Sequence, residues 1–544
     1  MRTNMDESIV TPTGADLLVR RLRDFGVRHI FGYPGGPLTP IHDAIYREPA
    51  IRHILARDER GAGFMADGYA RATGQVGVVL AVCGPGVFNA ATPLAGAFSD
   101  SVPVLLISGQ VPTAARGGIR SGYYHENDQL AACAHFTKYH ACLRDVNAIV
   151  PTLDQAFVTM MKDRRGPVML DAPVDVMASE AELINRPVAP TLPAPREPSC
   201  QDMATLIDLI ISWQKPLLLA GGGVISSGAD YLLVELAERL GAPVFHTFMG
   251  KGAVPSEHPL CAGTPWKEGT SDATEMAARI SPLFGQADGM LAIGCRFTQV
   301  ITGSWALKPP ACLTQIDIDP EELGRHYRLA LGIHADARLT IQAILRQLPK
   351  EKRRLWAPQP PIREPKRIGG LDLLGPLRNI IPADAIIAAD VTQLGYAMLV
   401  DYPVKYPRTF LHPAAAISMG FGLPAALGAK AAFPQKTVVT VMGDGCFQMT
   451  GMELATAVQE NLPVVVVLIN DSSLTLIKSI QKRRYGGRFI GVDLQNPDFA
   501  LFAKAYGIRA WQVRTEEDFA KALREAISSR ETCVVEVQVS YNKN

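Results

Sequence analysis

Residues 437–478 read TVVTVMGDGCFQMTGMELATAVQENLPVVVVLINDSSLTLIK. The β-branched apolar run Thr437 to Val441 predicts a buried parallel strand. It leads into Gly443-Asp444-Gly445. A helical pattern over 451–460 follows, and Pro463 marks where that helix has ended. A second apolar run, Val464 to Ile469, delivers Asn470 and Asp471. The stretch is a strand–loop–helix–strand unit with amide or acidic side chains at the carboxyl ends of both strands, the edge at which open parallel sheets bind ligands.

Two carboxylates at such an edge suit Mg²⁺, which takes hard oxygen ligands and shares them with bound phosphates. Asp444 and Asp471 are the candidate ligands. Gly443 and Gly445 would let backbone N–H groups approach a phosphate closely. An acidic loop that holds no ligand is the alternative, because the tripeptide Gly-Asp-Gly alone carries little information.

The rest of the chain fits a large α/β protein. Its 544 residues are enough for about three domains. Hydrophobic residues make up 47% and charged residues 20%, as in globular proteins with large buried sheets. The net charge of +1 gives no reason to expect nucleic acid or a charged membrane surface. No apolar run reaches the ~18 residues of a membrane span. The start, MRTNMDESIV, lacks the apolar core of a secretory signal. Nine scattered cysteines with no CxxC pair argue against a disulfide framework or a zinc site. A cytoplasmic protein is expected.

Thr13 is placed to cap a helix with the stripe Leu18, Leu22, Phe25 and with Gly26 as its stop. The strand text VRHIF follows, then Gly32-Tyr33-Pro34-Gly35-Gly36. Ile51–Ala56, Val76–Val82 and Val102–Ser108 also read as strands, with a small-residue helix over Gly61–Thr73. Strands alternating with helices mean a parallel sheet. Two proline-rich stretches, RPVAPTLPAPREPS (186–199) and PKEKRRLWAPQPPIREP (349–365), read as extended linkers. They divide the chain into α/β blocks at 1–185, 200–348 and 366–544. The middle block has strands at Pro216–Ala220, Met290–Gly294 and Leu313–Ile318.

The spacing from Asp444 to Asn470 and Asp471 resembles the signature of thiamine diphosphate enzymes. That resemblance implies three consecutive parallel-sheet α/β domains: pyrimidine-binding, middle and diphosphate-binding. It implies that Asp444, Asp471 and the carbonyl of Ser473 hold Mg²⁺ on the diphosphate. The family usually has Asn-Asn where this chain has Asn470-Asp471, so a charge is added. DERGAGFMADGYARATG (58–74) and Cys83-Gly84-Pro85-Gly86-Val87-Phe88-Asn89 resemble the pyrimidine side of the site. There Glu59 would bond the aminopyrimidine ring and set up removal of the C2 proton. SMGFGLPAALGAK (418–430) resembles the segment whose methionine, Met419, wedges under the cofactor. Gln393 matches a diphosphate contact, although the His that usually follows it is Leu394 here. The resemblance thus assigns Gly36, Glu59, His125 and Met419 to catalysis. It assigns Pro85, Asn89, Gln393, Met419, Gly443, Asp444, Gly445, Cys446, Asp471, Ser473 and Leu474 to the cofactor.

The resemblance covers nearly the whole chain and is strongest to acetohydroxyacid (acetolactate) synthases. It rests further on Thr137-Lys138-Tyr139, MGKGAVPSEHP (249–259) and Ile316-Asp317-Ile318-Asp319-Pro320. It implies a carboligase that decarboxylates a 2-oxo acid and adds the acyl carbanion to a carbonyl acceptor. A 2-oxo acid decarboxylase or 2-hydroxyacyl lyase is the enzymatic alternative, and a non-catalytic cofactor-binding relative is the third. Two positions depart from the biosynthetic synthases: Val300 stands for an Arg that grips the acceptor carboxylate, and Ile480 for a Trp. His125, in Tyr124-His125-Glu126, replaces an amide near the reacting carbon. The synthases also carry FAD in the middle domain. Gly221–Gly223 and Arg296 offer a cradle, but Thr264-Pro265-Trp266-Lys267-Glu268 lacks the flavin-loop text and 270–289 is longer than usual, so FAD is disfavoured. The family builds its site between subunits, which implies a homodimer or homotetramer.

Overall fold

The computed structural model describes residues 11–115, 122–182, 191–265, 282–357 and 367–540. The first ten residues, 186–190 and 358–365 of the proline-rich stretches, Trp266-Lys267-Glu268 and 270–281 lie outside them. The chain divides into two compact units, 1–70 with 75–193, and 71–74 with 194–544.

The first unit holds one six-stranded sheet: β1 (His29–Gly32), β2 (Arg52–Leu55), β3 (Gly77–Ala81), β4 (Val104–Gln110), β5 (Tyr139–Cys142) and β6 (Val168–Pro173). Their order is β2-β1-β3-β4-β6-β5, and every pairing is parallel. Gly32 is in register with both Leu55 and Leu80. The loops after β1, β2 and β3 therefore leave the sheet at one edge. Helix Gly14–Asp24 starts with the expected cap: Thr13 and Asp16 bond each other's backbone N–H in a capping box, and Gly26 has φ +84. Leu18 and Leu22 are fully buried, while Phe25, partly buried, stacks on Phe157.

The second unit holds two further sheets. β7 (Pro216–Ala220), β8 (Val244–His246), β9 (Cys261–Gly263), β10 (Gly289–Ile293), β11 (Leu313–Asp317) and β12 (Leu331–His334) lie in the order β12-β11-β10-β7-β8-β9. Counted within this sheet the order is 3-2-1-4-5-6, the dinucleotide-fold arrangement. β13 (Ile386–Ala389), β14 (Phe410–Leu411), β15 (Val438–Gly443), β16 (Val465–Asn470), β17 (Arg509–Val513) and β18 (Cys533–Gln538) lie in the order β14-β13-β15-β16-β18-β17. That repeats the order of the first sheet. All pairings in both are parallel. The strands TVVTV and VVVVLI are buried on both faces, which is why they read as continuous apolar runs rather than alternations.

The structure differs from the sequence expectation in one local respect that matters. Helix begins at Asp444, not at 451. It runs Asp444–Thr450, passes through a 3₁₀ turn at Gly451–Glu453, and resumes at Leu454–Gln459. Gly443 is the extended N-cap, and an acid in the first turn is where the helix dipole favours one. The 349–357 stretch is irregular as expected, but it is tied down: Trp356 Nε1 donates to Pro216 O at 2.6 Å and Arg353 Nη1 to Trp213 O at 3.0 Å. Among the described residues no helix is long and apolar enough to cross a membrane. All nine cysteines are free.

Candidate active site

In the first unit, three loops at the carboxyl edge of the sheet converge. Glu59 is the first residue of helix Glu59–Thr73 and is buried, 7% exposed. Its Oε2 accepts a hydrogen bond from Asn89 Nδ2 at 3.1 Å. Pro85 opens helix Pro85–Asp100, where a residue without N–H fits, and Asn89 lies one turn on. Gly86 lets these parts touch: a Cβ there would lie 2.8 Å from Glu59 Oε1 and 2.9 Å from Val82 Cγ1. Gly35 packs on the same Val82, at 2.8 Å for a built Cβ, whereas a Cβ on Gly36 would meet nothing within 4 Å. Gly36 thus borders open space while its neighbour is wedged.

His125 joins this edge. Its carbonyl oxygen is 3.1 Å from a Cβ built on Gly84, itself at φ +67. The His125 backbone is left-handed, φ +66, a state uncommon outside glycine, though His adopts it more readily than most residues. Its ring lies 3.8 Å from Tyr124, and its Nδ1 is buried with no hydrogen-bond partner. Below the loops, Gly84 N–H donates to Gln129 Oε1 at 2.8 Å, and Gln129 Nε2 donates to Asp171 Oδ1 at 2.6 Å and to Ser108 Oγ. Gln129 and Asp171 hold the Gly84 turn; nothing in their sequence surroundings singled them out.

We expect Gly86→Ala to displace the Glu59 carboxyl and the Val82 side chain, at an overpacking cost of about 1–3 kcal/mol. Thermal unfolding should register that loss, and activity should fall further than stability alone explains.

In the second unit, the edge is set by register. Gly443 pairs with Ile469, so Asp444 and Asn470-Asp471 leave neighbouring strands side by side. Asp444 is 3% exposed, and burial raises its pKa against the lowering effect of Asn496 and the Gly445 N–H. Asp471 is pushed up to about 6, first by burial and then, against Thr475, by the nearby charge of Asp444. Its Oδ1 accepts from Ser473 N at 3.0 Å, and Thr475 Oγ1 donates to Oδ2. Residues 472–474 are clamped to 492–494: Leu474 N donates to Val492 O at 2.7 Å and Leu494 N to Ser472 O at 2.8 Å. Gly445 faces Leu474 Cδ2 at 2.8 Å and Met419 Cε at 3.5 Å, distances measured to a built Cβ. Asp444, Gly445, Met419 and Leu474 are therefore neighbours. Thr392, the cap of the helix that Gln393 opens, lies 3.5 Å from a Cβ built on Gly443. Cys446 Sγ donates to Val391 O at 3.1 Å, and burial holds the thiol far above its usual range.

Three residues here were not expected. Asp390 is completely buried, and its two oxygens accept from Val391 N and Gly422 N, both at 2.7 Å. It ties the Gln393 turn to the helix start that follows Met419, and burial pushes its carboxyl up to about 6. Asn496 Nδ2 donates to Asp444 Oδ2 at 2.7 Å. Glu536 accepts from Asn470 Nδ2 at 2.7 Å. A lone acid in the apolar strand Cys-Val-Val-Glu-Val-Gln was a legible oddity; Asn496, in a polar turn before Pro497, was not.

The donor set fits a divalent cation. Asp444 is buried and Asp471 half-buried, and the charge of Asp444 helps push the Asp471 carboxyl up to about 6, a repulsion that a hard cation would relieve. The aliphatic positions behave differently. Val300 packs against Phe248, Ile301 and Leu399, and Ile480 lies half-buried on helix Thr475–Tyr485. Two lysines that would be candidates to replace the Arg absent at Val300, Lys138 and Lys478, are both engaged elsewhere. Lys138 Nζ donates to Lys162 O at 2.7 Å and Arg164 O at 2.6 Å, and Lys478 pairs with Asp493.

At the switch point of the middle sheet, the glycines are consumed by packing. A Cβ on Gly221 would fall 1.8 Å from Gly294 O, and one on Gly223 2.6 Å from Gly294 Cα. Close backbone approach explains Gly221 and Gly223 without a dinucleotide.

Comparison with known proteins gives a consistent picture. Residues 12–132 match the family described as "Thiamine pyrophosphate enzyme, N-terminal TPP binding domain", 203–344 the central domain, and 390–537 the C-terminal TPP binding domain. The chain is 34% identical to a probable acetolactate synthase large subunit of Methanocaldococcus jannaschii, over 97% of this chain and 92% of that one. It is 33% identical to a probable 2-ketoarginine decarboxylase of Pseudomonas aeruginosa, over 97% and 94%. A thiamine diphosphate-dependent 4-hydroxybenzoylformate decarboxylase of Rhodococcus jostii superposes with a TM-score of 0.86 at 25% identity, covering 98% of this chain and 100% of that one.

Proposed function

The chain belongs to the thiamine pyrophosphate enzyme family, and from that premise we propose that it is a Mg²⁺-dependent carboligase, acetolactate synthase-like, acting on a 2-oxo acid and a carbonyl acceptor. Enzymes of this family act on small 2-oxo acids. Thiamine diphosphate, when bound, supplies the electron sink for loss of CO₂ and for carbon–carbon bond formation. The observation that carries the reading is the pair of buried Asp444 and half-buried Asp471, beside Gly445 and Met419, in a chain similar over 97% of its length to an acetolactate synthase.

In this reading Asp444, Asp471 and the Ser473 carbonyl hold Mg²⁺. Gly443, Gly445, Cys446, Gln393 and Leu474 surround the diphosphate. Pro85 and Asn89 line the pyrimidine side, and Met419 supports the ring junction. Glu59 holds and moves a proton at the pyrimidine nitrogen, a task that calls for a carboxyl shielded from water. His125, next to the Gly84 turn and with an unpartnered Nδ1, is the candidate proton donor or acceptor toward the reacting oxygen. A homodimer is the minimum assembly, one copy supplying the Glu59 half and the other the Asp444 half. Sedimentation should return no active monomer.

Val300 and Ile480 favour an uncharged acceptor. An Arg–carboxylate hydrogen bond contributes about 1.5–3 kcal/mol, so lacking it weakens a 2-oxo acid acceptor roughly 10- to 200-fold. Lys138 and Lys478 already have partners. We expect an aldehyde to compete well with pyruvate as acceptor in a mixed assay, and Val300→Arg to shift the product toward the 2-hydroxy-2-oxo acid. Acetolactate as almost the sole wild-type product would restore the plain synthase assignment. The same two aliphatic positions favour a second reading, decarboxylation with release of an aldehyde. A panel of 2-oxo acids with aldehyde, acyloin and 2-hydroxy-2-oxo acid resolved separates the two.

A further inference from the structure

The groups around Asp444 form a single directed chain of hydrogen bonds that ends on a buried carboxylate. Glu536 is 1% exposed, and the side chains that meet it are amides: Asn470 Nδ2 at 2.7 Å, Gln512 Nε2 at 2.9 Å and Gln538 Nε2 at 3.4 Å. A carboxylate only accepts. Glu536 therefore turns the Asn470 amide so that its nitrogen faces the core and its oxygen faces outward. That oxygen receives Asn496 Nδ2 at 2.8 Å and Ser472 N at 3.2 Å. Asn496 Nδ2 also donates to Asp444 Oδ2 at 2.7 Å, again an acceptor-only group. Gln448 Nε2 fixes the other end of the Asn496 amide, donating to its Oδ1 at 2.8 Å.

Neither amide can flip without placing oxygen against carboxylate oxygen. The orientation of both is thus set by the two acids at the ends. The same Asn470 oxygen steadies Ser472, inside the turn that carries Asp471 and Ser473. One buried acid on β18 accordingly restrains both arms of the acidic site, through residues that are not themselves its ligands.

We propose that Asn496, oriented by Glu536 through Asn470, is the positioning residue that holds Asp444 and the Asp471 turn ready for Mg²⁺. The proposal rests on the reading of Asp444 and Asp471 as the Mg²⁺ ligands. Outer-shell partners of metal ligands typically change affinity by about 10- to 100-fold when removed. Pre-organisation is the reason: without Asn496 the Asp444 Oδ2 loses its side-chain partner and the carboxylate is held through backbone N–H groups such as that of Gly445, so more of its ordering falls to the binding step.

The test is calorimetric titration of Mg²⁺ into the full-length protein with saturating thiamine diphosphate. Asn496→Ala should raise the Mg²⁺ dissociation constant by about 10- to 100-fold. Glu536→Leu should do the same, and the double variant should be no worse than the weaker single, because both cut one relay. Glu536→Gln keeps an acceptor for Asn470 and should restore affinity to within a few-fold of wild type. Gln448 is exposed, so Gln448→Ala keeps the fold and should weaken Mg²⁺ several-fold. Wild-type protein that fails to take up Mg²⁺ would defeat the metal-site reading and this inference together. Wild-type protein that binds it, with Asn496→Ala and Gln448→Ala unchanged in dissociation constant, would overturn the inference and leave the metal site standing. Lowered thermal stability with unchanged Mg²⁺ affinity would equally overturn it.

Discussion

Asp444→Ala is expected to abolish Mg²⁺-dependent binding of thiamine diphosphate while leaving the protein folded. The loss should exceed the about 10- to 100-fold seen when an outer-shell partner is removed, because a ligand itself is gone. Stability should move the other way. Asp471 sits at about 6, raised first by burial and then by Asp444. A carboxyl whose folded value lies above its unfolded value, about 3.9, binds protons more tightly in the folded state, so its ionisation costs stability. That cost is absent below about pH 4 and complete above about pH 6. Removing Asp444 takes away part of the cost at neutral pH. The metal-free variant should therefore melt at or above the wild-type midpoint, most visibly above pH 6. Asp471→Asn should be mild for metal, since an amide oxygen still ligates. Calorimetry showing wild-type cofactor affinity in Asp444→Ala would remove this residue from the site.

Glu59→Gln should keep cofactor affinity and slow exchange of the cofactor's C2 proton by about 10² or more, the scale of general acid–base catalysis. The substitution keeps the shape that Gly86 and Asn89 enclose, and its amide oxygen can still accept from Asn89 Nδ2. What it removes is the capacity to hold a proton and release it. Quenched-flow exchange followed by NMR measures this step apart from turnover. An unchanged exchange rate in the variant would falsify the assignment of Glu59 to activation.

Local chemistry was readable wherever one segment carried the whole cause. Thr13 and Asp16 form their capping box within a single turn, and Gly26 ends the helix by its own backbone freedom. The apolar runs at 438–443 and 465–470 are strands because nothing else buries so many β-branched residues in sequence. The helix start was misplaced from 444 to 451 because glycines at 443 and 445 read as loop. Their use is instead tertiary: Gly445 makes room for Leu474 and Met419. The proline-rich text at 349–357 was legible as irregular chain, but its anchoring through Trp356 and Arg353 depends on segments far away in sequence.

By itself the sequence determined the alternation of strand and helix, the acidic strand ends at Asp444 and Asp471, and the family to which their spacing points. Those follow from properties that neighbours along the chain share: periodicity, β-branching, backbone freedom and fixed intervals. The tertiary structure alone decided that Gly443 stands opposite Ile469, that Asn89 meets Glu59, and that Asn496, from a loop, and Glu536, from β18, reach the acidic edge. Strand order and register are settled by packing between segments, and a polar side chain acquires its partner only when the sheet has closed around it.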